Sequence, residues 1–241
     1  SDVGLPNRNF ILGSRGKYIV SASNVAGSFN VAKFGGTSVA NFEAMSRCAA
    51  IIENNSNTKL VVSSACSGVT NLLVELANGV QDKTRRQELV TQLTDIHNTI
   101  LAQLADPISI EKEVHCILDD IASAAEAASF QASTKLTDHL VACGELMSTH
   151  ILAQIIRERG TPAVRFDIRE VMRTSDDFGK AEPQLEDIAA LAQQKLIPLC
   201  EEQVVVTQGF IGADNEGNTT TLGRGGSDYS AALIAESVQA I

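Results

Sequence analysis

The chain lacks the features that mark nucleic-acid-binding and membrane-spanning proteins. It has 19 Lys and Arg against 29 Asp and Glu, and a net charge of −10 argues against a nucleic-acid footprint, which would be basic and clustered. No apolar run approaches the roughly 18 residues of a membrane span. The apolar stretch Tyr18–Val20 is too short for the core of a signal peptide. We therefore expect neither a nucleic-acid nor a membrane partner, and an anionic substrate needs a local basic pocket.

The cysteines lack the spacing of a metal or disulfide framework. They form no C-x-x-C pair and have no histidine partner at metal spacing, so we expect reduced thiols in a cytoplasmic protein, each buried as a small apolar side chain. Histidines lie in helical stretches without a matching constellation, and we interpret all of them as structural. The sequence thus predicts no metal ligand among these residues: Cys48, Cys66, Cys116, Cys143, Cys200, His97, His115, His139 and His150.

Two common nucleotide-binding fingerprints are also missing. The chain has no G-x-x-x-x-G-K-[ST] and no G-x-G-x-x-G after its first strand, which argues against a P-loop NTPase and a dinucleotide fold. Internal repeats, low-complexity tracts and clear linkers are absent from the sequence as well. Its 241 residues suffice for one large α/β domain or two small ones.

What the chain does have is an alternation of strands and helices from Phe29 onward. Short apolar strands are predicted at Phe29–Ala32, Leu60–Val62, Ala163–Phe166 and Val204–Thr207, with long helical stretches between them. This pattern predicts an α/β protein, a three-layer αβα sandwich with a mainly parallel sheet. We assign residues 29–241 to one catalytic domain and residues 1–28 to a poorly ordered N-terminal extension.

Two glycine turns carry the strongest chemical signal. The segment KFGGTS at Lys33–Ser38 follows the first strand and is expected to open a helix, an arrangement that suits a phosphate chain. A second turn, LGRGGSD at Leu222–Asp228, also leads into a predicted helix, Tyr229–Gln239. Ligands of parallel α/β sheets bind at the carboxyl ends of the strands, where both turns and the loop Ser63–Thr70 should lie.

Six motifs in order resemble the aspartate kinases of the amino-acid-kinase family. The resemblance covers about residues 30–241, and two further segments, Arg173–Asp176 and Gly179–Ala181, look most like the monofunctional, lysine-sensitive branch. The six motifs are K-F-G-G-T-S at Lys33, V-x-S-A at Val62, V-T-N at Val69, G-E-x-M-S at Gly144, T-Q-G-F at Thr207 and L-G-R-G-G-S-D-Y-S at Leu222.

The resemblance implies transfer of the γ-phosphoryl group of ATP, with Mg²⁺, to the β-carboxylate of L-aspartate in lysine, threonine and methionine biosynthesis. It implies two catalytic residues, Lys33 and Asp228. It further implies ATP binding by Lys33, Phe34, Gly35 and Gly36, and substrate binding by Ser64, Thr70, Glu145, Arg224, Gly225, Gly226 and Ser227.

The chemistry of the substrate fits these residue types. A carboxylate acceptor has a pKa of about 3.9 and needs no general base, so alignment and charge neutralisation should carry catalysis. Arg224 can fork onto a substrate carboxylate, and Glu145 can face the α-ammonium. Purely structural roles stay open for three of these residues: Glu145 as a helix-surface acid, Arg224 as a structural partner of Asp228, and Asp228 as a helix cap.

The chain departs from the resembled family in its extent. No G-I-Y-[ST]-x-D-P-R segment and no paired ACT regulatory domains follow Ile241, so we expect an incomplete nucleotide half that binds aspartate better than ATP. The last helix should leave an apolar face uncovered. A full-length protein should be a feedback-regulated homo-oligomer. Two rival functions remain: another carboxylate, carbamate or nucleotide kinase of this fold, and a non-catalytic aspartate-binding fragment.

Overall fold

A computed structural model describes residues 10–13, 17–24, 27–223 and 226–239 of the chain. Strands and helices alternate along it as the apolar pattern predicts. The strands are β1 (Phe10–Gly13), β2 (Lys17–Asn24), β3 (Gly27–Phe34), β4 (Thr58–Ser63), β5 (Ala163–Phe166), β6 (Val204–Gln208), β7 (Ile211–Ala213) and β8 (Thr219–Thr221). The helices are α1 (Phe42–Glu53), α2 (Val69–Ala77), α3 (Lys83–Leu101), α4 (Ile108–Phe130), α5 (Thr134–Glu158), α6 (Leu185–Leu191), α7 (Ile197–Glu202) and α8 (Gly226–Gln239).

The main sheet has the order β1-β2-β3-β4-β6-β5, and its pairs from β3 to β5 are parallel. Its central strands are apolar on both sides because successive side chains of a strand point to opposite faces. Val61 packs into one core cluster, whereas Leu60 and Val62 pack into the other. All three side chains are buried, as the sequence predicted for a strand covered on both faces.

Helices cover both faces, which confirms the three-layer α/β arrangement. The cluster containing Val61 and Val206 includes residues of α1 to α5, and the cluster containing Leu60 and Val205 includes residues of α6 to α8. Of the described helices, α5 is long and apolar enough to cross a membrane, and its most apolar 18-residue segment has a mean hydropathy of 1.2. Since 89% of that segment is buried inside the protein, its apolar composition is that of a core helix.

The N-terminal region and α8 differ from expectation. Residues 1–28 were expected to form a poorly ordered extension, and the described ones among them include β1 and β2, which extend the sheet as antiparallel strands beside β3. The division of the chain at residue 28 stays a prediction. The expected uncovered face of α8 was wrong for the described residues: Leu233, Ile234 and Val238 are buried, and the helix packs against β2 and β3.

The first glycine turn also differs locally. A 3₁₀ turn at Gly36–Val39 follows it, and the α-helix begins only at Phe42, where the Asn41 side chain accepts a hydrogen bond from the Ala44 N–H. The turn therefore does not open directly into an α-helix. Asn41 takes the capping position because its short side-chain acceptor satisfies an otherwise unpaired amide of the first helical turn.

Candidate active site

A pocket of about 470 Å³ opens at the carboxyl edge of the sheet. The segments after β3 and β4, the start of α8 and the middle of α5 form its walls. It brings together six of the predicted site residues: Gly36, Ser64, Thr70, Glu145, Gly226 and Ser227. Its other lining residues are Thr37, Ala65, Cys66, Ser67, Gly68, Asn71 and Phe210. A slightly larger recess of about 500 Å³ between α3 and α4 contains none of the predicted site residues.

Hydroxyl groups fasten the pocket loop to two helices. The Ser64 hydroxyl donates to Ser227 Oγ on α8 at 2.8 Å. The Ser148 hydroxyl on α5 donates to the Ser64 carbonyl at 2.7 Å. Residues far apart in the chain thus fix the loop after β4 from both sides, and Ser64 and Ser227 stand together as the substrate-binding prediction requires.

Glu145 is the buried acid of the pocket. The residue is only 4% exposed, and its Oε2 has no hydrogen-bond partner in the described part of the chain. Burial raises the pKa of Glu145 to about 8, although the backbone N–H groups of Glu145 and Ala65 partly offset this effect. The alternative of a helix-surface acid is therefore wrong. A buried carboxylate without a full set of partners is suited to receive a cationic group of a ligand.

Lys33 and Asp228 form an ion pair that joins the two glycine turns. Lys33 Nζ lies 2.8 Å from Asp228 Oδ1, with the lysine side chain 12% exposed and the aspartate 60% exposed. The ammonium also lies close to the turn, 3.3 Å from where a Cβ on Gly35 would stand. Asp228 directly follows the pocket residue Ser227, so the pair belongs to the same edge of the sheet.

The remaining predicted residues fall into two groups. Phe34 has its ring in the core, 1% exposed, so only its backbone is left to approach a nucleotide. Its carbonyl accepts a hydrogen bond from the Ser64 N–H at 3.0 Å. Arg224 and Gly225 lie outside the described residues. The roles of these three residues, like those of the other predicted site residues, stay predictions.

Phe210 lines the pocket, although it was predicted only as part of a family motif and not as a site residue. Its φ of 74° is left-handed, a conformation that non-glycine residues rarely adopt and that often marks functional sites. Its N–H donates to the Ser230 hydroxyl, which holds this conformation against α8. The T-Q-G-F motif was the available signal, but a left-handed phenylalanine cannot be read from sequence.

Two glycines allow the pocket walls to approach one another. A Cβ on Gly144 would stand 2.7 Å from Ala65 Cβ, and a Cβ on Gly209 would stand 2.6 Å from Ser227 Cβ. These distances are too short for any side chain. Only glycine at these two positions therefore lets α5 and α8 pack this closely against the strand ends. Gly144 thereby sets the depth at which the adjacent Glu145 enters the pocket.

The cysteines are all free within the described structure, as predicted, but not all buried. Cys116 is exposed, because it lies on the solvent side of α4, whereas Cys48, Cys66, Cys143 and Cys200 are buried. Burial, with a smaller contribution from Glu145, raises the pKa of Cys66 to about 12, which keeps this pocket thiol protonated. The expectation that no cysteine has a histidine at metal spacing was wrong: His139 and Cys143 share one face of α5.

Comparison with known proteins agrees with this geometry. Residues 28–241 match the amino acid kinase family. Lysine-sensitive aspartokinase 3 of Escherichia coli is 51% identical over 87% of this chain and 46% of its own length. An aspartokinase of Chlamydia trachomatis is 33% identical over 86% of this chain and 45% of its own. The chain thus spans about half the length of these relatives.

The fold agrees as well. The crystal structure of E. coli aspartokinase III in complex with aspartate and ADP (R-state) superposes with a TM-score of 0.84, covering 86% of this chain and 46% of that one. With the family match extending over the whole α/β domain and its pocket, the chain belongs to the amino acid kinase family.

Proposed function

We propose that this chain carries the acceptor site of an ATP-dependent aspartate kinase, which phosphorylates the β-carboxylate of L-aspartate to 4-phospho-L-aspartate. The observation that carries the proposal is that a buried acid, Glu145, and the Lys33–Asp228 ion pair both lie at the same edge of the sheet. The relatives named aspartokinase, and a 51% identical structure described with aspartate and ADP, support it.

The proposed acceptor site recognises aspartate by its charges. Glu145 is buried, and its Oε2 has no hydrogen-bond partner among the described residues, so an α-ammonium group that enters the pocket supplies one. The Ser64 and Ser227 hydroxyls provide further polar contacts in the same pocket. Arg224, outside the described residues, is proposed to fork onto a substrate carboxylate, because a planar guanidinium matches a carboxylate with two hydrogen bonds.

The proposed transfer step needs no base. An oxygen of the ionised β-carboxylate forms a bond to the γ-phosphorus, the bond from that phosphorus to the β–γ bridging oxygen breaks, and ADP leaves with the electron pair. Lys33 places its ammonium on the transferring phosphoryl group, where it offsets negative charge. Asp228 holds that ammonium at 2.8 Å and so keeps it aimed before the nucleotide binds.

Mg²⁺ is proposed as the companion of ATP. The Asp228 carboxylate fits this role because it is 60% exposed and Lys33 engages its Oδ1, which leaves Oδ2 for a metal-bound water. When bound, the ion would neutralise phosphate charge, and phosphates and water would supply most of its ligands. We also propose a cytoplasmic location, feedback regulation and homo-oligomerisation for the full-length protein.

The direct test traps the acyl phosphate. The chain is incubated with ATP, Mg²⁺ and L-aspartate in hydroxylamine, which converts an acyl phosphate into a hydroxamate. Aspartyl hydroxamate should form, and glutamate, N-acetylglutamate and carbamate should give none. A preference for any of these other acceptors would contradict the proposal in favour of a different kinase of the same fold.

A second candidate is aspartate binding without turnover, favoured by the chain's coverage of about half its relatives. Calorimetry with aspartate and with ATP, each titrated alone, separates the two. Aspartate binding without detectable ATP binding or hydroxamate supports the second candidate. Binding of both ligands with turnover supports the first, and absence of aspartate binding contradicts both.

A further inference from the structure

A group of three metal-binding side chains lies between α4 and α5, separate from the residues that line the active-site pocket. Asp120 comes from α4, and His139 and Cys143 come from successive turns of α5. Their ligand atoms, a carboxylate oxygen, an imidazole nitrogen and Sγ, all lie within 4.8 Å of one another. Residues four apart on a helix share one face, so His139 and Cys143 present their ligand atoms together.

The spacing of these atoms is close to that of a tetrahedral zinc site. His139 Nε2 lies 2.7 Å from Asp120 Oδ2, and Cys143 Sγ lies within 4.8 Å of a ligand atom of each. Zinc bonds of about 2.0 to 2.3 Å place neighbouring ligand atoms about 3.3 to 3.8 Å apart. The carboxylate and imidazole therefore need to separate by less than about 1 Å, which side-chain rotation supplies without moving either helix.

The donor types select the ion. A thiolate, an imidazole and a carboxylate form the mixed set that zinc accepts, whereas Mg²⁺ and Ca²⁺ prefer oxygen alone. The Cys143 side is buried, while the side chains of His139 and Asp120 are 42% and 50% exposed. This asymmetry leaves the fourth position of a tetrahedron facing solvent, where a water molecule completes the coordination.

Charge balance favours a divalent ion. Burial raises the pKa of the Cys143 thiol to about 12, so the ion itself has to displace the thiol proton when it binds. The resulting thiolate and the Asp120 carboxylate together match two positive charges. Among the described residues, Arg169 is a cation close enough to act electrostatically on both groups, and Glu145 adds a further negative charge near Cys143. The Arg169 guanidinium is engaged by Asp167, with Nη2 to Oδ2 at 2.7 Å and Nε to Oδ1 at 2.9 Å, so it does not satisfy the two ligands.

We propose that Asp120, His139 and Cys143 form a zinc site that links α4 to α5. The two helices already pack against each other in the core, with Ile121 and Leu140 buried near the site. An ion bound here joins α4 to α5, the helix that carries Glu145. The site does not depend on the proposed kinase activity, and its test does not use that activity.

Zinc and cobalt binding to the whole chain test the proposal. After incubation with Zn²⁺ and desalting, elemental analysis should find one zinc per chain, and Zn²⁺ but not Mg²⁺ should raise the thermal midpoint. Co²⁺ should produce a thiolate-to-cobalt charge-transfer band. Cys143→Ala should abolish the band and, like His139→Asn, weaken zinc binding by about 100-fold or more.

Cys116→Ala is the matched control, since this thiol is exposed and lies on α4 outside the group. It should keep both the zinc and the cobalt band. Asp120→Asn, at an exposed position, gives a second ligand variant if Cys143→Ala fails to fold, and should also weaken zinc binding. Loss of zinc during desalting, a cobalt spectrum without the thiolate band, or a Cys116→Ala variant that loses binding would each overturn the proposal.

Discussion

Lys33 and Glu145 differ in their surroundings at the same edge of the sheet. Lys33 is paired with Asp228 at 2.8 Å and mostly shielded, which holds its ammonium in place. Glu145 is buried without full hydrogen bonding, and burial raises its pKa to about 8. The lysine therefore has a partner in the described structure, whereas one oxygen of the glutamate has none, which the proposed function assigns to a ligand.

Lys33→Ala should remove a preorganised charge from the transition state. In a chain that turns over, we expect kcat to fall by about 100-fold or more, with a much smaller change in the affinity for aspartate. Steady-state hydroxamate assays measure both quantities. Lys112→Ala, on the outer helix α4, is the control and should leave kcat unchanged. A Lys33→Ala enzyme with near-normal kcat would remove this residue from the catalytic assignment.

The pH dependence of stability should report the buried Glu145. Its folded pKa of about 8 exceeds the unfolded value of about 4.3, so the native state binds more protons between these values. This group's stabilising contribution is thus complete below about pH 4.3 and is lost as the pH rises through about 8. Urea unfolding across that window should show a smaller decline for Glu145→Gln than for the unaltered chain. The exposed control Glu113→Gln should keep the decline; equal slopes in all three would contradict the prediction.

Aspartate binding should depend on the two residues proposed to recognise its charges. Glu145→Gln removes the charge proposed to face the ammonium, and Arg224→Lys removes the planar guanidinium that can make two hydrogen bonds to a carboxylate. Each variant should therefore bind aspartate more weakly, as measured by calorimetry. Affinity in the unaltered chain should also rise with pH toward about 8 as Glu145 ionises, and Glu145→Gln should abolish this rise. ATP affinity should hardly change. Equal weakening of both ligands would indicate a folding defect instead.

At the scale of elements, the pocket depends on how closely α5 and α8 approach the strand ends. Gly144 and Gly209 occupy the contact points, where a Cβ would stand only 2.7 Å and 2.6 Å from the nearest neighbouring atom. The Ser64 loop is tied to both helices by the Ser227 and Ser148 hydrogen bonds. The position of each pocket residue is thus set by packing between elements that are distant in sequence.

Gly144→Ala should push α5 away from the loop after β4. Overpacking of this kind lowers stability by about 1 to 3 kcal/mol, and here it should also weaken aspartate binding because Glu145 moves with the helix. Gly212→Ala creates a comparable clash, 2.6 Å from the Met172 carbonyl, away from the pocket. It should lower the thermal midpoint while the folded protein keeps its aspartate affinity. If both variants lose affinity equally, Gly144 has no special role at the site.

At the scale of the whole molecule, the N-terminal strands complete one side of the sheet. β2 pairs antiparallel with β3 and packs against α8, although the family match begins at residue 28. An uncovered β3 edge would present unpaired backbone groups to other chains. The described part of α8 is covered in the same arrangement, which explains why its apolar residues are buried.

Deleting residues 1–26 should therefore expose both β3 and part of α8. We expect a lower thermal midpoint and self-association at micromolar concentration, measured by light scattering, because edge strands and apolar faces both favour assembly. Deletion of residues 1–9 is the control, since it leaves β1 and β2 in place. A shortened chain that stays monomeric with an unchanged midpoint would show that the strands contribute nothing to covering the domain.

The sequence by itself determined the layered fold and much of the site. Apolar strands such as Leu60–Val62 have to be buried on both faces, and the helices that alternate with the strands along the sequence provide that cover, so this pattern predicts the sandwich. The glycine turns pointed to Lys33 and Ser227, and the motifs of the family resemblance added Ser64 and Glu145. The structure brings Ser64, Glu145 and Ser227 into one pocket and pairs Lys33 with Asp228, while their roles stay predictions.

Tertiary structure decided what depends on contacts between distant segments. The burial that raises the Glu145 pKa, the left-handed Phe210 and the close approach over Gly144 arise only when α5, α8 and the strand ends meet. The Asp120, His139 and Cys143 group likewise needs α4 beside α5. Local sequence specifies which groups are available, but their separation and dielectric surroundings are properties of packing, and these properties set the chemistry.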